Sequence, residues 1–140
     1  MEKIKILGME EIPLYENIKV IDGAFVYGEE VGTYTIVKTR YSHYNEPLVA
    51  ILNTDDSMSS DDPQNSIPKD YFILGEMDTP VRKGNLGIFS YNGECIVRRL
   101  KISGKNAVLE AFNKDYSDIN VEDKDEFYIL AKVIEASRNF

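Results

Sequence analysis

Apolar and polar positions in this chain cluster into short runs with the period of an extended strand. Runs rich in β-branched and aromatic residues, bounded by Gly, Pro, Asn and Asp, stand at Asn17–Ile21, Gly32–Val37, Pro47–Leu52, Tyr71–Gly75, Gly87–Tyr91, Glu94–Ile102, Asn106–Phe112 and Glu126–Ala136. No window of a dozen residues keeps a sustained i, i+3, i+4, i+7 apolar pattern. A mainly β fold is predicted. In Phe89-Ser-Tyr-Asn92-Gly93-Glu-Cys-Ile two such runs meet at Asn-Gly, the pair that tolerates the positive φ angles of a type I′ turn, and Ser103-Gly104-Lys105-Asn106 leads the second arm into another strand. The stretch from about residue 86 to 112 therefore reads as a three-stranded antiparallel meander.

Two segments read as loops, Tyr41–Glu46 and Asn53–Asp70. The second carries Asp55, Asp56, Asp61, Asp62, several serines and Pro63, and its composition predicts a solvated loop. Residues 1–12 read as a linker or lead-in, and 13–140 as a single domain.

Composition narrows the function. Sixteen Lys and Arg against 24 Asp and Glu give a net charge of −8, so the domain repels a phosphate backbone and is not expected to grip nucleic acid by itself. With one cysteine, Cys95, and one histidine, His43, neither a disulfide framework nor a multi-cysteine or multi-histidine metal site is expected. The acidic loop lacks the central glycine and terminal glutamate of a calcium-binding EF loop. No glycine-rich nucleotide loop is present, so no cofactor is expected. No apolar run approaches the roughly 20 residues that span a bilayer, and the charged start of the chain does not read as a signal peptide. A cytoplasmic location with no membrane partner is the expectation. His43 reads as a surface residue, and Cys95, inside a strand, as a small hydrophobe.

Two positions invite chemistry. Ser57 follows closely on the run Leu48–Leu52, and can be one more serine of a polar loop or a nucleophile. On the strand Glu94–Ile102, alternation puts Ile96, Arg98, Leu100 and Ile102 on one face and Cys95, Val97, Arg99 and Lys101 on the other. Arg98 is thus a cation in an apolar row. Its stem can lie along the core edge with the guanidinium reaching water or a carboxylate, or it can serve a site.

The order of these pieces resembles the C-terminal, self-cleaving domain of the LexA, UmuD and lambda-type phage repressor family, which uses a serine-lysine dyad. Asp55-Asp56-Ser57-Met58 stands for the family's Gly-Asp-Ser-Met, and Ile67-Pro68-Lys69-Asp70 with the strand after it for the following insert. Val97-Arg98-Arg99-Leu100 stands for Val-Lys-Arg-Leu, Asn113-Lys-Asp-Tyr116 for an Asn-x-x-Tyr turn, and Tyr128–Ile134 for the closing strand. The lead-in from Ile12 to Gly23 resembles the cleavage-site segment. The resemblance covers about residues 12 to 136 and implies a signal-peptidase-like β fold of twisted antiparallel sheets, with Ser57 as nucleophile and Asp56, Met58, Asn113 and Tyr116 in support.

It also exposes three departures. The base of such a dyad must be a lysine able to lose its proton, and a guanidinium with a pKa above about 12 cannot replace it. Arg98 stands in that place, Asp22-Gly23 replaces the scissile Ala-Gly, and Asp55 replaces a glycine. Lys101 faces away by strand parity, and Lys69 or Lys83 would need an unforeseen loop path to serve instead.

The resemblance therefore implies a degenerate peptidase-like domain that dimerises and holds together a phage- or SOS-type transcriptional repressor. Family members pair through the C-terminal strand, and the long apolar run 126–136 reads as an aggregation hazard unless a partner covers it. DNA would be reached only through a separate head outside these residues. The competing expectation is an active autoproteolytic switch, triggered by a RecA filament, in which Ser57 cuts the Asp22-Gly23 bond. A third keeps the β scaffold for an unrelated protein-binding role with the Asp-rich loop as contact. If Ser57 and Arg98 are a dyad remnant, they lie within about 4 Å of one another at the base of a groove, and a separation of more than about 10 Å makes the assignment of those two positions wrong.

Overall fold

In the computed structural model, which describes residues 6–39 and 43–138, nearly all regular structure is strand. The strands are β1 (Ile6–Tyr15), β2 (Ile18–Ile21), β3 (Ala24–Tyr27), β4 (Glu30–Thr39), β5 (Leu48–Leu52), β6 (Phe72–Glu76), β7 (Leu86–Tyr91), β8 (Glu94–Ser103), β9 (Asn106–Glu110), β10 (Ile119–Asn120) and β11 (Phe127–Ser137), with one 3-10 turn at Pro63–Asn65. Nine of them form a single sheet in the order β10-β9-β8-β7-β11-β6-β5-β1-β4, and β2 and β3 form a separate hairpin. Every described pairing is antiparallel except β1 with β5. The mainly β expectation holds.

The meander is β7, β8 and β9. Its first turn places Asn92 and Gly93 at φ of 50° and 81°, the left-handed geometry that Asn-Gly tolerates. Alternation sorts the core as the sequence predicts. Val97 and Cys95 pack with Ile18, Ile51, Met58, Ile73 and Ile88, whereas Ile96 and Leu100 pack on the other cluster with Phe89 and Leu109. Ile102, expected in the apolar row, is exposed, because it lies in the last residues of β8.

Three expectations change. Residues 1–12 read as a lead-in from their sequence, but from Ile6 onward they belong to β1, which pairs along its length with β4 and at Leu14–Tyr15 with β5. Met1–Lys5 lie outside the described residues. Loop 53–70 is not solvated throughout. Met58 and Ile67 enter the core, the Ile67 amide donates to the Met58 carbonyl at 2.7 Å, and the buried Asn53 side chain donates to the carbonyls of Ile67 and Pro68. An internally bonded loop has few open backbone groups left for water, so its two apolar residues can anchor it. The other loop, 41–46, begins outside the described residues. Finally, β11 lies inside the sheet: β7 pairs with its first half, Phe127–Lys132, and β6 with its second, Lys132–Ser137, so each edge is covered within the chain along half its length.

The sheet is strongly curled. Four strand steps separate β11 from β4, about 19 Å if flat at roughly 4.8 Å per step. Yet the Tyr34 hydroxyl of β4 donates to the Glu135 carboxylate of β11. Burial, helped by Glu135, pushes the Tyr34 phenol well above its ordinary value, so it remains a donor. On the inner side the hairpin is held by Ile18 and Val20, and the Val20 amide donates to the buried Ser90 Oγ at 2.9 Å.

Glu110, at the end of β9, is a buried carboxylate that gathers Arg99, Lys101 at 2.9 Å and, more distantly, Lys114 at 3.8 Å. Hydrogen bonds from Lys101 and then Arg99 hold it below its ordinary carboxylate value against the opposing push of burial. Its contribution to stability is therefore complete above an unfolded value near 4.5 and lost as the pH falls through the lower folded value. Glu110→Gln is expected to cost about 1 kcal/mol at neutral pH, the scale of one hydrogen-bonded contact, and to narrow that deficit in acid. Urea midpoints measured across this range check it, and a deficit that does not change with pH contradicts it.

Candidate active site

The site is assembled from three places in the chain. The turn after β5 carries Asp55, Asp56, Ser57 and Met58. The middle of β8 supplies Arg98, and the segment after β9 supplies Asn113 and Tyr116.

The turn is shaped by Asp55. Its Oδ1 accepts the Ser57 amide at 3.0 Å, an Asx turn that a short carboxylate makes two residues ahead, and accepts the Ser57 hydroxyl at 2.6 Å. Met58 is fully buried and pins the turn to the core. The segment after β9 closes it from the other side: the Asn113 amide donates to the Ser57 carbonyl at 2.9 Å, Asn113 Nδ2 to the Asp56 carbonyl at 3.0 Å, and the Tyr116 hydroxyl to Asp56 Oδ1 at 2.6 Å. That last bond is the main reason the Tyr116 phenol titrates above its ordinary value.

Arg98 meets Ser57 directly. Its Nη1 donates to Ser57 Oγ at 2.6 Å and to the Val97 carbonyl at 2.9 Å, within the hydrogen-bond reach that a dyad remnant requires. The β8–β9 ladder runs from Arg99 to Ser103 and so begins just past this residue. Its guanidinium carbon lies 5.8 Å from the centre of the Tyr116 ring, a cation–π arrangement. Arg98 is 5% exposed and Ser57 1%, so both charge and hydroxyl are withdrawn from solvent. Burial pulls the guanidinium below its ordinary value while Asp55 and Tyr116 push it back up, and a guanidinium so placed remains a cation. Arg98 Nε, also buried, has no hydrogen-bond partner among the described residues.

Chemically, the Ser57 hydroxyl is engaged on both sides. Its proton points to a carboxylate and its lone pair receives a cationic donor. An activated nucleophile needs a neutral base facing it, and the group across from Ser57 is a donor. Beside the turn, a crevice lined by Asn17, Asn53, Asp55, Cys95 and Val97 measures about 20 Å³, room for about one water molecule.

The remaining expected residues fall elsewhere. Asp22 and Gly23 form the two-residue turn of the β2–β3 hairpin, both at positive φ, 52° and 78°, and both exposed. No hydrogen bond or ion pair among the described residues joins them to Ser57. Lys101 is taken by Glu110, and Lys69 and Lys83 are exposed and not bonded to Ser57. His43 is exposed. Burial pushes the Cys95 thiol above its ordinary value, only partly offset by the Ile18 amide, so it stays protonated near neutral pH. Among the described residues no three His, Cys, Asp or Glu side chains converge as metal ligands, and no helix is long and apolar enough to cross a membrane. Sequence reading registered Asp55 only as a departure from a pattern and missed it as the residue that holds Ser57. An acid two residues ahead of a serine in a turn was the available signal.

Removing the Asn113 side-chain amide leaves the Asp56 carbonyl without that donor. Asn113→Ala is expected to lower stability by about 1 kcal/mol, the net worth of one such bond, and thermal unfolding measures it. An unchanged midpoint would show that the segment after β9 does not brace the turn.

Residues 13–134 match the family model described as Peptidase S24-like, nearly the stretch over which the motif resemblance runs. A search of curated proteins returns no match.

Proposed function

The chain belongs to the Peptidase S24-like family, and from that premise we propose that it is the dimerising, regulatory domain of a phage- or SOS-type transcriptional repressor whose serine-lysine site no longer cuts. The observation that carries this reading is the 2.6 Å hydrogen bond from the Arg98 guanidinium to Ser57 Oγ. In the family's self-cleavage a neutral amine at that position removes the serine proton; a permanently protonated donor removes nothing. Two further features support it. Ser57 is buried beneath its partners, and Asp22-Gly23 is tied into a tight hairpin turn whose strands pair over their whole length.

Pairing of two copies is proposed through β11, each of whose edges is paired within the chain along only half of the strand. Ile129, 48% exposed on the half of β11 that pairs with β7, is the apolar side chain offered for that contact. A pair of such domains would set two DNA-binding heads, carried elsewhere, on a symmetric operator. The acidic surface keeps the domain itself off the DNA. A RecA filament is a partner only in the alternative reading, in which Ser57 cuts at Asp22-Gly23.

Incubating purified protein at alkaline pH favours any base-dependent scission. The expected result is an unchanged mass for both the natural chain and Ser57→Ala. A fragment beginning at Gly23 that disappears in Ser57→Ala would establish the alternative. For assembly, sedimentation at tens of micromolar is expected to show a dimer, and Ile129→Asp a monomer, because a charge cannot be left unpaired in an apolar contact. A natural chain that stays monomeric contradicts the pairing.

A further inference from the structure

Arg98 presents a problem of charge. It is a cation 5% exposed, yet among the described residues no carboxylate lies within ion-pair distance of it. Glu110, one strand away, is occupied by Arg99 and Lys101, and Asp56 by the Tyr116 hydroxyl. Isolated buried charges are strongly unfavourable unless an opposite charge and hydrogen bonds offset them. The remaining acid nearby is Asp55, and it is joined to Arg98 through one atom: Ser57 Oγ donates to Asp55 Oδ1 at 2.6 Å and accepts from Arg98 Nη1 at 2.6 Å.

We infer that Asp55 is the charge partner of Arg98, with the Ser57 hydroxyl as the relay between them, so that the three residues form one tie fastening the turn after β5 to β8. A hydroxyl that donates to a carboxylate becomes a better acceptor, and one that accepts from a cation becomes a better donor, so the two short bonds strengthen each other. The geometry fixes the direction of the proton. It sits toward Asp55, since the guanidinium offers only donors. The Asx turn holds Asp55 in place independently, through the Ser57 amide at 3.0 Å, so the carboxylate is set before the guanidinium arrives. The departures at positions 55 and 98 are on this account one change and not two, an acid and a base that must be present together. In this arrangement Ser57 is a structural bridge. The inference rests on the proposed non-cleaving reading and gives its site a role.

The test is a double-mutant cycle read by urea unfolding at neutral pH. Asp55→Asn keeps the side-chain oxygen that accepts from Ser57 but removes the charge, and Arg98→Met removes the cation while keeping an unbranched apolar stem. In the natural background Asp55→Asn is expected to raise the unfolded fraction relative to folded by about tenfold, and in the Arg98→Met background by less than about twofold, since coupled contacts lose their interaction only once. Equal effects in both backgrounds overturn the pairing. Should Arg98→Met not fold, Ser57→Ala replaces it in the cycle and reads the same coupling, because removing the relay also disconnects the two charges. The alkaline incubation separates this failure from that of the function. An uncut chain without coupling overturns the charge partnership alone, whereas scission dependent on Ser57 overturns both, because a hydroxyl committed on both sides is not free to attack.

Discussion

A guanidinium cannot be hidden in a protein without consequences for everything packed around it. Arg98 leaves β8 among Val97, Leu100 and the ring of Tyr116 and ends on a serine hydroxyl. Its desolvation has to be offset locally, and the surrounding turn is built so that it is. Asp55 lies on the far side of that hydroxyl, Met58 and Ile67 hold the loop against the core, and Asn113 and Tyr116 fasten it from the segment after β9. If the guanidinium lost its partner, a charge would stand in a low-dielectric pocket and the loop would have no reason to stay closed.

The curl of the sheet makes this contact available. Tyr34 and Glu135 join strands four steps apart, and the β2–β3 hairpin covers the inner cluster through Ile18 and Val20. With that face closed, the turn after β5 has one place to go, over the edge of β8 ahead of its ladder with β9. The site is therefore a consequence of the packing, and the serine belongs to the core of the molecule as much as to its chemistry. Family membership explains why these segments meet. The identity of the residues at their meeting point explains why the outcome proposed here is association without cleavage.

Much of this was legible in the residues. Asn92-Gly93 encodes its turn because both must adopt positive φ, and the alternation along Glu94–Ser103 encodes which side chains share a face. The five ordered motifs led to Ser57, Arg98, Asn113 and Tyr116, which the structure brings together. Less legible was β1, whose residues 6–12 mix Gly8, Glu10 and Glu11 with apolar ones in no steady alternation. That strand is secured by pairing with β4 on one side and, near its end, with β5 on the other. Loop 53–70 was legible in part: Asp55, Asp56, Asp61, Asp62 and Pro63 are exposed as their composition predicts, but Asn53 and Ser60 bond within the loop and Ser57, Met58 and Ile67 are buried. The apolar β11 run did not reveal that β7 and β6 would share it, half each, since apolarity alone does not tell a strand at an edge from one in the middle.

By itself, the sequence determined the local geometry and the chemical character of this protein: strands where the period is two, tight turns where residues tolerate positive φ, an acidic surface, and an arginine where proton removal would call for an amine. These follow from properties carried within a few residues. Only the tertiary structure decided which neighbours the strands took, how far the sheet curled, and that an acid in one turn would reach a cation in a distant strand through a single hydroxyl. Pairing, burial and compensation of charge depend on groups far apart along the chain, and a distance of that kind has no value until the chain has folded.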